Sequence, residues 1–151
     1  MGTRCLTIFK DHEDTEICVM YRQFDGYLEG HGVDLKAWAD GKKLVNGIRG
    51  DYNSVWNGMG CLAASCVANF KKDAGNIYLH PPGTRECWED YRYTLYPEPE
   101  WDPNDEKRDR DKGGQLCIKV EDIGYQKTKT IYEGLMKDFD PKEVSRELSD
   151  E

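Results

Sequence analysis

The chain has 151 residues, of which 38% are hydrophobic and 33% charged, and this composition suits one domain of ordinary size. Its formal net charge of −8 argues against a surface shaped to hold duplex nucleic acid, because phosphate contacts need clustered cations. No apolar run approaches the roughly 20 residues of a membrane span, and the first ten residues do not resemble a signal peptide. We therefore expect a cytoplasmic protein that binds neither duplex nucleic acid nor a membrane.

The beginning of the chain predicts a β-hairpin. Residues 4–9 and 16–21 are apolar and rich in β-branched side chains, and they flank a polar turn at 11–14. The second strand is apolar on both faces, which is typical of a central strand covered by helices. A loop at 23–32 follows, and its three glycines predict sharp turns.

Two helices are predicted in the first half of the chain. A short one spans about 33–40, and a longer amphipathic one spans about 58–73, with Asn57 as its N-cap and Gly75 as its stop. The apolar stripe of the longer helix follows helical spacing and consists of Met59, Leu62, Ala63, Cys66, Val67 and Phe70.

The second half of the chain supplies further strands. Residues 76–80, 88–96 and 115–121 have the apolar, aromatic or alternating patterns of β-strands. Together with the hairpin they predict an α+β fold. We expect a mainly antiparallel sheet of about five strands, with the two helices packed on it.

Most of the negative charge belongs to two segments. Residues 97–112 hold seven acids and four bases, residues 138–151 hold six acids and two bases, and the other residues hold 16 acids and 15 bases. We expect a single domain at 1–140 with a mobile acidic loop at about 97–114, because such composition buries little apolar surface. Residues 141–151 are predicted to form an acidic tail or short helix, with Asp140 as its cap.

The cysteines do not predict a metal site. Six are present, none forms a CxxC pair, and most fall within apolar patterns where a reduced thiol is a small buried hydrophobe. No cofactor is predicted either. The best nucleophile candidate is Cys87, which follows a proline-glycine turn near His80 and Arg85.

Two turns could contact an anion. His31 lies where the glycine-rich loop enters a helix, and backbone N–H groups at such a junction can bind negative charge. The turn at 80–86 combines two prolines with Arg85, whose guanidinium can grip phosphate or carboxylate in two parallel hydrogen bonds. The alternative for the His31 segment is a purely conformational role of its glycines, and the alternative for the turn at 80–86 is a hairpin turn with surface ion pairs. The predicted ligand-binding residues are Arg4, Arg22, Asp25, Tyr27, His31, His80 and Arg85.

Several segments resemble a group of short uncharacterised proteins encoded by bacteriophages. The likeness rests on residues 1–4, 21–27, 30–32, 57–64 and 77–81, and it extends over roughly residues 1–96. It implies a setting in the cytoplasm of an infected bacterium, and a role in host takeover or in evasion of host defence. It implies no catalytic residue.

These observations support three hypotheses. The leading one is a non-catalytic protein that captures a small anionic, nucleotide-like ligand, with a second subunit closing the pocket in a homo-oligomer. The alternative is an inhibitor that presents the acidic loop and tail to a basic host protein. The third is a small hydrolase or transferase that uses Cys87 or His80. If Arg4, Arg22, His31, His80 and Arg85 scatter over the surface instead of lining one pocket, the ligand hypothesis should be dropped in favour of the partner-binding one.

Overall fold

The predicted hairpin lies at the centre of a six-stranded sheet in the computed structural model, which describes residues 2–105, 113–124 and 127–149. The strands, in chain order, are β1 (Cys5–Lys10), β2 (Glu16–Arg22), β3 (Lys43–Val45), β4 (Val55–Asn57), β5 (Ile77–His80), β6 (Tyr91–Pro97), β7 (Leu116–Ile123) and β8 (Thr128–Leu135). The sheet order is β5-β2-β1-β6-β7-β8, and β3 and β4 form a separate parallel pair.

The sheet is mainly antiparallel, as predicted, with one exception. β1 and β6 run parallel, with Cys5 opposite Tyr91 and Phe9 opposite Leu95, whereas all other neighbours in the sheet are antiparallel. The α+β prediction is confirmed, but the described sheet has six strands rather than five. The additional strand is β8, an edge strand whose first three residues are exposed and whose apolar alternation is correspondingly weak.

The described residues contain three helices: α1 (Val33–Ala39), α2 (Gly58–Phe70) and α3 (Pro141–Ser149). Two helices were predicted to pack on the sheet, and α3 is the short helix that was one of the two alternatives for residues 141–151. A π-helical turn at Leu28–Gly32 leads directly into α1, and a 3-10 turn at Met136–Asp138 precedes α3. Asp140 caps α3 by accepting the N–H of Glu143 on its Oδ1 at 3.2 Å.

The predicted boundaries of α2 need two corrections. The helix ends at Phe70, three residues earlier than expected, because the chain at Lys71 turns to an extended conformation. Asn57 stands at the N-cap position, but its side chain does not cap the helix. Its Oδ1 accepts the N–H of Gly47 at 2.7 Å instead, which ties the start of α2 to the preceding loop.

The main core lies between the helices and one face of the sheet. β1 and β2 contribute Cys5, Phe9 and Met20 to it, and α2 contributes Leu62 and Cys66. The opposite face of the hairpin carries a smaller buried cluster of Leu6, Ile8 and Val19. Cys87 packs on that cluster, so the loop at 81–90 lies over the face that the helices leave uncovered.

Part of the predicted acidic loop is anchored to the domain. The side chain of Trp101 belongs to the main core, and the backbone N–H of Trp101 donates to the carbonyl of Glu98 at 3.0 Å. The Asn46 side chain donates to the carbonyl of Pro103 at 2.8 Å. Residues 106–112 of the predicted loop lie outside the described residues.

Within the described ranges, no helix is long and apolar enough to cross a membrane. The same residues contain no cluster of three or more His, Cys, Asp or Glu side chains arranged to hold a metal ion.

Candidate functional site

Two of the predicted site residues, Arg22 and His31, meet beneath the helices. Arg22 is the last residue of β2 and His31 lies in the π-helical turn, so the hairpin and the turn bring them together. The Nη1 of Arg22 lies 3.0 Å from the Nδ1 of His31 and 2.9 Å from the Oδ2 of Asp34. The other ring nitrogen of His31, Nε2, lies 2.7 Å from the hydroxyl of Thr7 on β1.

The chemistry of arginine decides the protonation of this ring. A guanidinium only donates hydrogen bonds, so Nδ1 of His31 accepts from Arg22 and the proton lies on Nε2, which donates to Thr7. Complete burial, and secondarily the nearby positive charge of Arg22, hold the pKa of His31 well below its ordinary value. His31 is therefore a neutral, hydrogen-bonded histidine of the core.

Two aromatic rings pack against the imidazole ring of His31. The ring of His31 lies 5.0 Å from that of Phe70 and 4.8 Å from that of Tyr93. The Tyr93 hydroxyl donates to the carbonyl of Gly26 at 2.8 Å, which secures the loop before the π-helical turn. His31 has no exposed surface, so it positions the loop and has no direct access to a ligand.

Asp25 and Tyr27 adjoin this pair. The exposed Asp25 carboxylate lies 4.0 Å from Nη2 of Arg22, and the backbone carbonyls of Asp25 and Tyr27 accept the N–H of His31 at 2.8 and 2.9 Å. The side chain of Tyr27 is exposed. His80 is on edge strand β5, with its ring 6.2 Å from that of Tyr21. The backbone N–H of Arg4 donates to Asp90. His80 lies opposite Val19 and Arg85 pairs with Glu16, so these two contact other parts of β2 than Arg22.

Arg85 is bound within the protein. Its Nη1 and Nη2 each lie 2.9 Å from an oxygen of Glu16. Arg85 thus makes with Glu16 the two parallel hydrogen bonds that were predicted for a phosphate or carboxylate ligand. The hydrogen bonds from Arg85 lower the pKa of Glu16, and the same pairing raises the pKa of Arg85. The partner of this guanidinium is thus a carboxylate of β2.

The surroundings of Cys87 do not favour a nucleophile. Its thiol donates to the carbonyl of Arg85, with sulfur and oxygen 3.8 Å apart. Partial burial, and secondarily the charge of Glu89, raise the pKa of this thiol. A catalytic cysteine needs the opposite shift, because the thiolate is the reactive form.

A different set of side chains surrounds a cavity of about 410 Å³ at the end of α1. Four of its ten lining residues are lysines, namely Lys36, Lys42, Lys43 and Lys137, and we call it the lysine cavity. The only described lining residue with a carboxylate is Asp40. Gln115 adds an amide, while Ala39, Leu116 and Met136 supply apolar wall.

Three separate parts of the chain form the lysine cavity. Lys36 belongs to α1, Lys42 and Lys43 follow its C-terminal turn, and Lys137 lies in the 3-10 turn after β8. The Nζ of Lys36 donates to the carbonyls of Met136 and Lys137, both at 2.7 Å, and so joins α1 to this turn. The Nζ of Lys42 lies 5.9 Å from the centre of the Trp56 ring.

The lysine cavity was not predicted from the sequence. The local signal was the pair of lysines directly after Gly41, but Lys137 is far away along the chain and reaches the site only through β8. A more open depression of about 390 Å³ adjoins it and shares Lys36 and Asp40. None of the seven predicted ligand-binding residues lines either cavity.

Comparison with protein-family models, with curated proteins and with solved structures found no match. The resemblance to bacteriophage-encoded proteins therefore stays a prediction.

Proposed function

We propose that this protein binds a small anionic ligand in the lysine cavity and does not turn it over. The observation that carries the proposal is a cavity of about 410 Å³ whose described lining includes four lysines and one aspartate. The ligand class is the one expected from the sequence, but the residues are different.

The concentration of lysines is unusual for this protein, because its net charge is −8. Like charges brought together repel one another, and a bound anion relieves that repulsion. The lysine ammonium acts on phosphate or carboxylate as a compact point charge. Lys36 is the most firmly positioned of the four, since two backbone carbonyls hold its ammonium group.

Size and lining favour a ligand with both a charged and an apolar part. The cavity volume falls within the roughly 300–1,000 Å³ that is common for small-molecule sites. Ala39, Leu116 and Met136 can contact an apolar or aromatic group, and Gln115 can orient it by hydrogen bonding. A nucleotide-like anion has these properties.

The surroundings of Cys87 favour binding over hydrolysis. The pKa of its thiol is raised, which speaks against a hydrolase that uses Cys87 as its nucleophile.

A thermal-shift series with pyrophosphate, adenosine nucleotides and a cyclic dinucleotide tests the proposal at constant ionic strength. Binding to the folded state adds RT ln(1 + [L]/Kd), which is about 2.7 kcal/mol at 100 times Kd. A gain of each 1 kcal/mol should raise Tm by about 2–4 °C at this chain length. Uncharged adenosine should give no comparable shift.

A matched pair of variants locates the effect. Lys42→Gln with Lys137→Gln should abolish the ligand-induced shift, because it removes two cations from the cavity. Lys72→Gln with Lys127→Gln changes the net charge equally at exposed positions outside the cavity and should retain the shift. Equal loss in both double variants, or no shift with any anion at millimolar concentration, would refute the proposal.

A second subunit that closes the open cavity remains part of the proposal. Light scattering with and without the stabilising anion tests it, and a monomer under both conditions would rule it out. The separation of His80 and Arg85 from Arg22 and His31 favours a protein-binding role as well. The surface that supports such a role is on the opposite side of the sheet from the helices.

A further inference from the structure

The loop at 81–90, between β5 and β6, displays the most exposed large apolar side chain described in this protein. Trp88 is 83% exposed, whereas the other three tryptophans are at most 7% exposed. Burying a tryptophan side chain removes a large apolar area from water and is energetically favourable, and an exposed tryptophan lacks this stabilisation. Tryptophan is also enriched among the residues that contribute most of the binding energy at protein interfaces. We call residues 81–90 the Trp88 loop.

The first half of the Trp88 loop is bound to Glu16 of β2. Glu16 receives both Nη groups of Arg85 and also the N–H of Gly83, the latter at 2.6 Å. The N–H and the hydroxyl of Thr84 both donate to the carbonyl of Pro81. The first half of the loop is therefore a turn whose conformation is fixed by hydrogen bonds.

The second half of the loop is fixed around a buried carboxylate. Glu89 accepts the N–H of Cys87 at 2.6 Å and pairs with Arg92 at 2.8 Å, and its side chain is almost fully buried. Cys87 packs on Leu6, Ile8 and Val19 at the same place. Cys87 and Glu89 thus point inward on either side of Trp88, which leaves the indole outside.

This arrangement has a conformational cost. Glu86 and Trp88 both have φ of 59°, in the left-handed region that side chains other than glycine rarely occupy. Each such residue costs on the order of 1 kcal/mol or more, which is tolerated only where surrounding contacts determine the backbone. The indole is held in the loop although it buries almost no surface of its own.

The charges beside Trp88 indicate the partner. Glu86 and Asp90 are exposed, while Arg85 is paired with Glu16 and Arg92 with Glu89. Arg4 also adjoins the loop, since its backbone N–H donates to Asp90. A cation over an indole face is attracted by the ring electrons, and flanking carboxylates strengthen that attraction. The negative charge of the whole chain acts in the same direction at long range.

We infer that the Trp88 loop is a docking site for an arginine- or lysine-bearing segment of a partner protein. A cationic side chain of the partner stacks on the indole of Trp88, while Glu86 and Asp90 attract it. The site lies on the sheet face opposite the helices, so the inference does not rest on the lysine cavity.

The probe is a fluorescein-labelled, end-blocked peptide of alternating glycine and arginine with about four arginines, measured by anisotropy at one fixed ionic strength. Trp88→Ala should weaken its affinity about fivefold, the size expected for an exposed cation–π contact. Trp88→Tyr should recover part of the affinity, since tyrosine retains an aromatic face. The same peptide with citrulline for arginine should bind no better than the background.

Matched controls separate the site from general attraction to an acidic protein. Tyr52→Ala removes another strongly exposed aromatic ring outside the loop and should leave the affinity unchanged. Glu86→Gln with Asp90→Asn should weaken binding more than Asp73→Asn with Glu147→Gln, although both remove two exposed negative charges. Asparagine at 90 retains an acceptor for the N–H of Arg4.

Acrylamide quenching supplies an independent readout, because Trp88 is the tryptophan that acrylamide can reach. Bound peptide should protect it. Unchanged affinity in Trp88→Ala at an unchanged Tm would overturn the inference, as would equal losses in the two charge variants. It would also be overturned if Trp88→Ala changed only the oligomeric state, because the occupant would then be a second copy of this chain.

Discussion

At the scale of single residues, the ring of His31 joins three segments through two hydrogen bonds of opposite sense. It accepts from Arg22 of β2 and donates to Thr7 of β1, while its backbone N–H is bound to the carbonyls of Asp25 and Tyr27. Protonation would turn Nδ1 into a donor facing a guanidinium, which has only donors. The folded state therefore resists a proton that the unfolded chain accepts readily.

We predict that stability falls as the pH decreases from about 6.5 to about 5. An unfolded histidine takes up a proton near pH 6.5, whereas buried His31 does not because its pKa is lowered. The free energy of unfolding should thus decline by up to about 1.4 kcal/mol per pH unit for this group. Glu16 and Glu89 also have lowered pKa values, but their contribution is lost only near and below the ordinary carboxyl pKa of about 4.3.

Denaturant titrations across this pH range measure the effect. His31→Asn should be less stable at neutral pH, and its stability should depend less on pH between about 5 and 6.5. His80→Asn, which changes a histidine on an edge strand, should retain the slope of the unchanged protein. An identical slope in His31→Asn would show that the burial of this ring does not control the acid response.

The sequence predicted that Arg22 and His31 matter together, but it assigned them to a ligand. Local spacing shows that His31 follows glycines and precedes a helix, which is equally compatible with an anion site. The packing of Phe70 and Tyr93 against the imidazole ring distinguishes a buried core histidine from an anion-binding one. Those residues are remote in sequence, so their contacts depend on the sheet order.

At the scale of elements, two glycines within helical segments should respond oppositely to substitution. A Cβ on Gly30, in the π-helical turn, would lie 2.4 Å from the carbonyl oxygen of Asp25, so Gly30→Ala must displace backbone and should destabilise the protein. Gly60 is exposed within α2, and a Cβ there would meet open space. Gly60→Ala should raise the free energy of unfolding by about 0.5–1 kcal/mol. Chemical denaturation of both variants checks the pair, and stabilisation by Gly30→Ala would contradict the tight turn.

Elements with a strong local pattern were predictable, and those defined by distant partners were not. The hairpin and α2 carry continuous apolar patterns, and the structure contains both. β8 was missed because an edge strand satisfies its backbone on one side and buries little. The parallel pairing of β1 with β6 joins segments separated by four strands, two α-helices and the π-helical turn, and no turn signal encodes it.

At the scale of the whole molecule, the two proposed surfaces have opposite charge and lie on opposite sides of the sheet. The lysine cavity is on the helical side, whereas the Trp88 loop covers part of the other face. The net charge of −8 has the same sign as the Trp88 loop and the opposite sign to the lysine cavity. The separation allows a small anion and a basic partner to be bound without competing for the same side chains.

The C-terminal helix is also part of the domain rather than an appended acidic tail. Pro141 and Val144 of α3 are buried, and Pro141 lies against Gly32 of the π-helical turn. Val144→Ala should therefore lower the free energy of unfolding by about 1–2 kcal/mol, through lost burial and incomplete closure of the space. Glu147→Ala, on the exposed side of the same helix, should change it by less than about 0.5 kcal/mol.

Amide hydrogen exchange should show which part of the domain α3 stabilises. In Val144→Ala, the amide of His31 should exchange faster than in Glu147→Ala, because α3 packs on the turn that contains it. Amides of β7, in the interior of the sheet, should respond less at concentrations of denaturant well below the unfolding transition. If both variants had the same stability and the same His31 exchange rate, α3 would contribute only charge, and the boundary at residue 140 expected from composition would describe the folded domain.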